Sequence, residues 1–342
     1  MTRTPNGAQA ARRVRRTKIT GLGTYVPPRL LTNADFEKMV DTTSEWILQR
    51  TGIRERHIVE PGVGASELGK EAALKAMAQA GVTPEAIDFI VVGTVTPDMM
   101  FPSTACLVQR KIGAPHAWGF DLSAGCSGFT FSLSTAVELV ASGRHDCALV
   151  VGSDVMSSIT DYQDRATCVL FGDGAGAVIV EPAGDDEFGI IDFANEVDGT
   201  GEALLNMPAG GSLRPASHET VDKRMHFVKQ EGQAVFKFAV RYTEEMCRRV
   251  LNRNGVTAKD VDLFVCHQAN RRIIVSAGER LGFDESKIIL NIDKYGNTTA
   301  ATIPLALADS IEQGRLNKGD LVLIASVGAG FTVSAILLRW AI

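Results

Sequence analysis

Residues 81–93, GVTPEAIDFIVVG, return in altered form as GVTAKDVDLFVCH at 255–267, an offset of 255 − 81 = 174. The pair Gly125-Cys126 corresponds to Gly296-Asn297 at 296 − 125 = 171, and the apolar run 147–152 to 321–326 at 321 − 147 = 174. Three near-equal offsets in chain order mark an internal duplication, and they constrain the fold more than any single motif. Each copy follows a helix-patterned stretch (66–80; 236–254) and ends in a strand-like run. Short Val/Ile-rich runs alternating with helices predict sheets covered on both faces. The chain therefore reads as two α/β units, 17–183 and 184–342. Equivalent turns of a duplicated fold meet at its pseudo-twofold axis. That brings Cys126 and Asn297 together, with His267 one strand away.

Cys126 follows the strand-like run 120–122 through Ser123-Ala124-Gly125, and helix-like sequence begins at Phe129. A thiol at a strand-to-helix turn faces open space, and a helix N-terminus behind it favours the nucleophilic thiolate. The competing reading is a small buried apolar residue, the usual state of a free cysteine. Cys, His and Asn far apart in sequence can still meet in a fold. The segment 171–176, FGDGAG, lacks the spacing of a phosphate loop and runs into Val178-Ile179-Val180, so its glycines predict a turn and a close backbone approach. Gly328-Ala329-Gly330 is a glycine-flanked turn able to aim a backbone N–H at a reacting atom.

The formal charge of −5 implies no general attraction to nucleic acid. The six cysteines are scattered, without a C-x-x-C pair, and read as reduced thiols of a cytoplasmic protein with no metal site. Cys266 and His267 are neighbours on a strand, so they face opposite sides and make a poor ligand pair. No apolar run is long enough to cross a membrane. Residues 1–34 contain no acid, and the basic segment 1–16 is expected to be an N-terminal extension before a first strand near Lys18.

Taken together, Cys126, His267 and Asn297 resemble the β-ketoacyl-[acyl-carrier-protein] synthase III family. Thr32-Asn33-Ala34-Asp35, Glu45-Trp46-Ile47, residues 51–56 (TGIRER), FGDGAG and His267-Gln268-Ala269-Asn270 extend the resemblance from about Lys18 to the end. It implies the thiolase fold: α/β, two duplicated βαβαβαββ halves in a five-layered αβαβα arrangement, working as a homodimer without a cofactor. Cys126 would accept an acyl group from acetyl-CoA or another short acyl-CoA, with the backbone N–H groups of Cys126 and Ala329 as oxyanion hole. The family often has Gly where this chain has Ala329. Malonyl-acyl carrier protein would then lose CO₂, its enolate receiving hydrogen bonds from His267 and Asn297.

By the same resemblance Trp46 and Arg165 would flank the adenine of acyl-CoA, Arg50 would lie near phosphate, and Gly232, Phe236 and Asn270 would line the pantetheine arm. Phe101 would reach the partner subunit's acyl pocket. Lys237, Gln268, Ala269, Asn270, Arg271 and Arg272 would meet the acidic carrier protein, although Glu279 stands where the family tends to be basic. The plainer readings are a core aromatic for Trp46 and a solvated basic face for the cations. Ser326 stands where a degradative thiolase has a second Cys, and no histidine follows His267, unlike the Cys-His-His elongating enzymes. An acyltransferase of specialised metabolism, a papain-type hydrolase and a binding protein with a dead site are the alternatives.

Overall fold

The computed structural model describes residues 15–185 and 187–342. The basic segment 1–16 lies outside them except for its last two residues. Arg15 pairs with Asp146 at 2.7 Å, and Arg16 donates to the Glu187 carbonyl at 2.7 Å.

The first half runs β1 (Thr17–Tyr25), α1 (Ser44–Thr51), α2 (Ala65–Ala80), β2 (Phe89–Gly93), α3 (Thr104–Ile112), β3 (Trp118–Leu122), α4 (Gly128–Ala141), β4 (Ala148–Val155) and β5 (Asp173–Pro182). The second runs β6 (Gly189–Val197), α5 (Gly232–Arg253), β7 (Leu263–Cys266), α6 (Arg271–Leu281), α7 (Thr302–Glu312), β8 (Leu321–Gly328) and β9 (Thr332–Arg339). The sheets are ordered β1-β5-β4-β2-β3 and β7-β8-β9-β6. In the first, β4–β2–β3 are parallel while β1 and β5 are antiparallel to their neighbours. In the second, β7–β8 is parallel, and β8–β9 and β9–β6 are antiparallel. The orders superimpose, β6 on β1, β9 on β5, β8 on β4 and β7 on β2. The repeat is inexact at one place: the counterpart of β3 is reduced to a single parallel bridge, Phe264–Ile288.

Burial explains the layers. Every residue of β2 and β4 is buried, as expected of parallel strands covered on both faces. Helix α4 buries Phe129, Leu133, Ala136, Val137 and Val140, so its apolar surface extends well round the helix and it sits between sheets. One core joins α4 and α7 (Ile303, Leu307) to Val91, Val150 and Val178 of the first sheet and to Val265, Val322 and Ile324 of the second. Separate cores seal α2 and α3 onto the outer face of the first sheet, and α5 and α6 onto that of the second. The result is αβαβα, the thiolase fold. Truncating a central side chain such as Phe129 to Ala would cost about 3–5 kcal/mol.

The glycines at 171–176 differ from expectation. Strand β5 already begins at Asp173, so Gly174 and Gly176 lie within a strand. The close approach is present: a Cβ on Gly172 would collide with the Tyr295 carbonyl and one on Gly176 with Pro304.

Candidate active site

A cavity of about 390 Å³ carries Cys126, His267, Asn297 and Ala329 on its wall. Two turns build its floor. Gly125 has φ +55°, a left-handed conformation that favours glycine, and it starts the short 3-10 turn that leads into α4. A Cβ there would lie 2.5 Å from the Ala329 nitrogen, and one on Gly328 would lie 2.6 Å from the Cys126 nitrogen. Missing side chains thus let the turns of the two halves interlock, with the backbones of Cys126 and Ala329 side by side. The first N–H groups of a helix have no intrahelical acceptor and remain free for a ligand.

The resting thiol departs from expectation. Burial, followed by the Asp154 carboxylate, pushes Cys126 up to about 12. The residue's own N–H acts in the opposite direction and is outweighed. Cys126 is therefore held as a neutral thiol in this fold. It remains partly accessible, whereas Cys147, Cys168, Cys247 and Cys266 are buried. Cys266 ends β7 in the outer core beneath α5 and α6, yet it also reaches the cavity wall beside His267, which lies beyond the strand and so escapes its alternation. Among the described residues no group of His, Cys, Asp and Glu has metal-binding geometry.

His267 follows β7, its N–H donating to Ala325 O at 2.8 Å. It is 4% exposed, and burial pushes its pKa down to about 3, so the ring is neutral. Nδ1 lies 2.7 Å from Thr302 Oγ1, and that hydroxyl donates its one proton to Thr299 O at 3.0 Å. The hydrogen-bond network therefore assigns the ring proton to Nδ1. Nε2 is buried with no hydrogen-bond partner among the described residues and, in the neutral ring, is an acceptor.

Asn297 is stitched to the first half. Its N–H donates to Leu170 O at 2.9 Å, and its carbonyl accepts from Gly172 N–H at 3.1 Å. Its side-chain Oδ1 accepts from Thr299 N–H at 2.9 Å, leaving the amide NH₂ for the cavity. The site thus offers a thiol, an imidazole nitrogen and an amide donor around one space, with backbone N–H groups at its floor.

Trp46, Arg50, Gly232, Phe236, Ala269 and Asn270 also reach the wall. Gly52, left-handed at φ +86°, closes α1 against Arg271 at the start of α6, which carries Trp46 and Arg50 to the cavity. Asn270 caps α6 by accepting from Arg272 N–H at 2.9 Å, and it donates to Arg50 O at 3.0 Å. Arg165 does not reach the wall. Its guanidinium lies 5.2 Å above the Trp46 ring and 3.4 Å from Asp41. An adenine between Trp46 and Arg165 needs about 7 Å, so Arg165 must swing outward to admit one.

Lys237, Arg271 and Arg272 are exposed on α5 and α6. Gln268 is a correction. It is 1% exposed; its Nε2 donates to Cys266 O and Ile289 O, and its Oε1 accepts from Asn291 N–H. A side chain so occupied cannot touch a docked protein. Phe101 is 84% exposed beside Met99 and Met100, outside this chain's own cavity. Sequence reasoning missed Asp154, Thr299 and Thr302. The polar run Thr298-Thr299-Ala300-Ala301-Thr302 after Asn297 was the available signal.

Comparison with known proteins bears on the family and the fold. Residues 120–199 match the family model described as 3-Oxoacyl-[acyl-carrier-protein (ACP)] synthase III, and residues 251–340 match its C-terminal model. The chain is 61% identical to the beta-ketoacyl-[acyl-carrier-protein] synthase III of Koribacter versatilis, over 96% of this chain and 99% of that one. It is 58% identical to that of Solibacter usitatus, over 95% and 99%. The crystal structure of 3-oxoacyl-[acyl-carrier-protein] synthase III from Aquifex aeolicus is 42% identical and superimposes with a TM-score of 0.87, covering 95% of this chain and 100% of that one. On the fold, the duplicated turns and these matches, the chain belongs to the 3-oxoacyl-[acyl-carrier-protein] synthase III family of condensing acyltransferases.

Proposed function

We propose that this protein condenses malonyl-acyl carrier protein with a short acyl-CoA primer through an acyl-Cys126 intermediate, giving 3-oxoacyl-acyl carrier protein and initiating fatty-acid synthesis. The observation that carries the reading is the meeting of Cys126, the unpartnered His267 Nε2 and the Asn297 amide on one cavity.

In the first half-reaction Cys126 Sγ attacks the acyl-CoA carbonyl. The oxyanion sits between the N–H groups of Cys126 and Ala329. The bond to the CoA sulfur breaks, the thiol proton of Cys126 passes out of the site, and CoA leaves as a thiol. A thioester replaces a thioester.

In the second, the malonyl carboxylate departs as CO₂, and its bonding electrons form an enolate on the thioester oxygen. The Asn297 NH₂ donates to that oxygen. His267 donates through Nε2 once it carries a proton there, and the enolate's negative charge favours that protonation inside a buried site. The carbanion attacks the acyl carbonyl, the bond to Cys126 breaks, and the released thiolate takes up a proton. The net reaction consumes one proton and balances without a metal or a redox group.

The units 17–183 and 184–342 supply the nucleophile and the donor pair respectively. Trp46, Arg50, Gly232, Phe236 and Asn270, with Arg165 swung outward, hold acyl-CoA. Lys237, Arg271 and Arg272 attract the acidic carrier protein by charge. The working unit is a homodimer: β3 is a sheet edge whose Trp118 is 46% exposed, and Phe101 projects from the same half. The protein acts in the cytoplasm; among the described residues no helix is long and apolar enough to cross a membrane. Mass spectrometry after incubation with a panel of acyl-CoAs tests the reading. The acyl group is expected on Cys126, and a stable adduct on another cysteine with Cys126 unmodified would reject it.

A further inference from the structure

Asp154 closes β4 deep in the fold and is 0% exposed. No cation is among its hydrogen-bond partners in the described residues. Oδ1 accepts from Thr94 Oγ1 at 3.0 Å, Val95 N–H at 2.8 Å, Thr96 N–H at 3.2 Å and Thr96 Oγ1 at 2.9 Å. Oδ2 accepts from Thr299 Oγ1 and from Ala300 N–H at 3.3 Å. Every neighbour is a donor, the arrangement that suits a carboxylate. Burial acts against that charge and pushes the carboxyl above its usual range. A buried carboxylate spent this way needs a reason beyond stability, because an apolar side chain costs less to bury.

Thr299 supplies the reason. Its φ is +49°, a left-handed backbone rare for a β-branched residue. Three contacts radiate from it. Its hydroxyl donates to Asp154, its N–H holds Asn297 Oδ1 at 2.9 Å, and its carbonyl accepts from the Thr302 hydroxyl that meets His267 Nδ1. Glycine would adopt the same backbone at less cost but has no hydroxyl for Asp154.

We propose that Asp154 is a positioning residue for condensation: through Thr299 it holds the turn that aims the Asn297 amide into the cavity and backs the His267 ring. The proposal rests on the reading of Asn297 and His267 as enolate donors. It also accounts for a carboxylate near a nucleophile that it disfavours, since the same charge that raises Cys126 anchors the donors for the other half-reaction.

The test compares Asp154→Asn, Thr299→Gly and Thr299→Ser with wild type and with Asn297→Ala. Two rates are followed separately: acylation of Cys126 by acetyl-CoA, and CO₂ release from malonyl-acyl carrier protein. Asp154→Asn and Thr299→Gly are expected to lose about 10- to 100-fold in CO₂ release, because misaimed groups forfeit preorganisation. Acylation should persist, and Thr299→Ser, which keeps the hydroxyl, should restore CO₂ release. Thr299→Gly relieves the left-handed strain but leaves the buried Asp154 carboxylate one donor short, so its rates are read only at temperatures where circular dichroism shows it folded. In Asp154→Asn the pH midpoint for iodoacetamide alkylation of Cys126 should move down, because Asp154 is the charge that acts on the thiol and the nearby His267 is neutral.

A purely structural role would lower both half-reactions together. Such parallel loss in folded Thr299→Gly overturns the proposal, as does wild-type CO₂ release in both Asp154→Asn and Thr299→Gly. If Asn297→Ala itself releases CO₂ at the wild-type rate, the donor reading has failed and the proposal falls with it.

Discussion

The buried imidazole of His267 makes a quantitative acid sensitivity inescapable. Its ordinary value is 6.5 and burial lowers it to about 3. A histidine shifted in this direction is neutral in the fold while the unfolded chain binds the proton. Its contribution to stability is complete above the unfolded value, declines as pH falls through 6.5, and is fully lost near 3. From pH 7 to pH 5 the unfolded ring goes from about a quarter to almost fully protonated, while the folded ring stays neutral. Integrating the proton difference at about 1.4 kcal/mol per pH unit costs the fold about 2 kcal/mol over that interval. The assay is urea unfolding at pH 7 and pH 5, at one protein concentration, for wild type and His267→Gln. Burial raises the carboxyls of Asp154 and Asp173, and Arg224 and Lys229 hold Asp161 low. Those groups are common to both proteins and cancel in the double difference. Wild type should lose about 2 kcal/mol more than His267→Gln on acidification. An equal loss in the two would refute the claim that the ring is held neutral by burial.

Asn297→Ala should slow CO₂ release from malonyl-acyl carrier protein by about 10²- to 10³-fold, the usual cost of one preorganised donor, while Cys126 is still acylated at a measurable rate; a rate assay on each half-reaction checks the split. Phe101→Thr should raise octanoyl over acetyl incorporation in primer competition, because trimming a bulky ring at the tunnel end admits a longer chain. An unchanged ratio removes Phe101 from the pocket, and a fully active monomer in analytical ultracentrifugation rejects the cross-subunit contact.

The duplication was legible in the chain alone because each copy must bury the same faces. Near-equal offsets placed β2 against β7 and β4 against β8, and the order of strands in the two sheets agrees. The pairing of Gly125-Cys126 with Gly296-Asn297 marks two turns of the cavity wall in the sequence itself, because both glycines sit at positive φ where the chain must turn sharply. Gln268 failed for a physical reason: a polar residue in a motif reads as a contact, but only packing reveals that its amide is consumed by Cys266, Ile289 and Asn291. The helix N-terminus behind Cys126 was visible in sequence, whereas the burial and the Asp154 charge that outweigh it were not.

Local pattern determined which residue types carry the chemistry and that the two halves converge, because periodicity and turn residues are properties of neighbours along the chain. The protonated nitrogen of His267, the aim of the Asn297 amide and the state of the Cys126 thiol depend on Thr302, Thr299 and Asp154. The Asp154–Thr299 contact spans 145 positions of chain. Hydrogen-bond direction and desolvation are set by groups adjacent in space, and only the folded chain decides which those are.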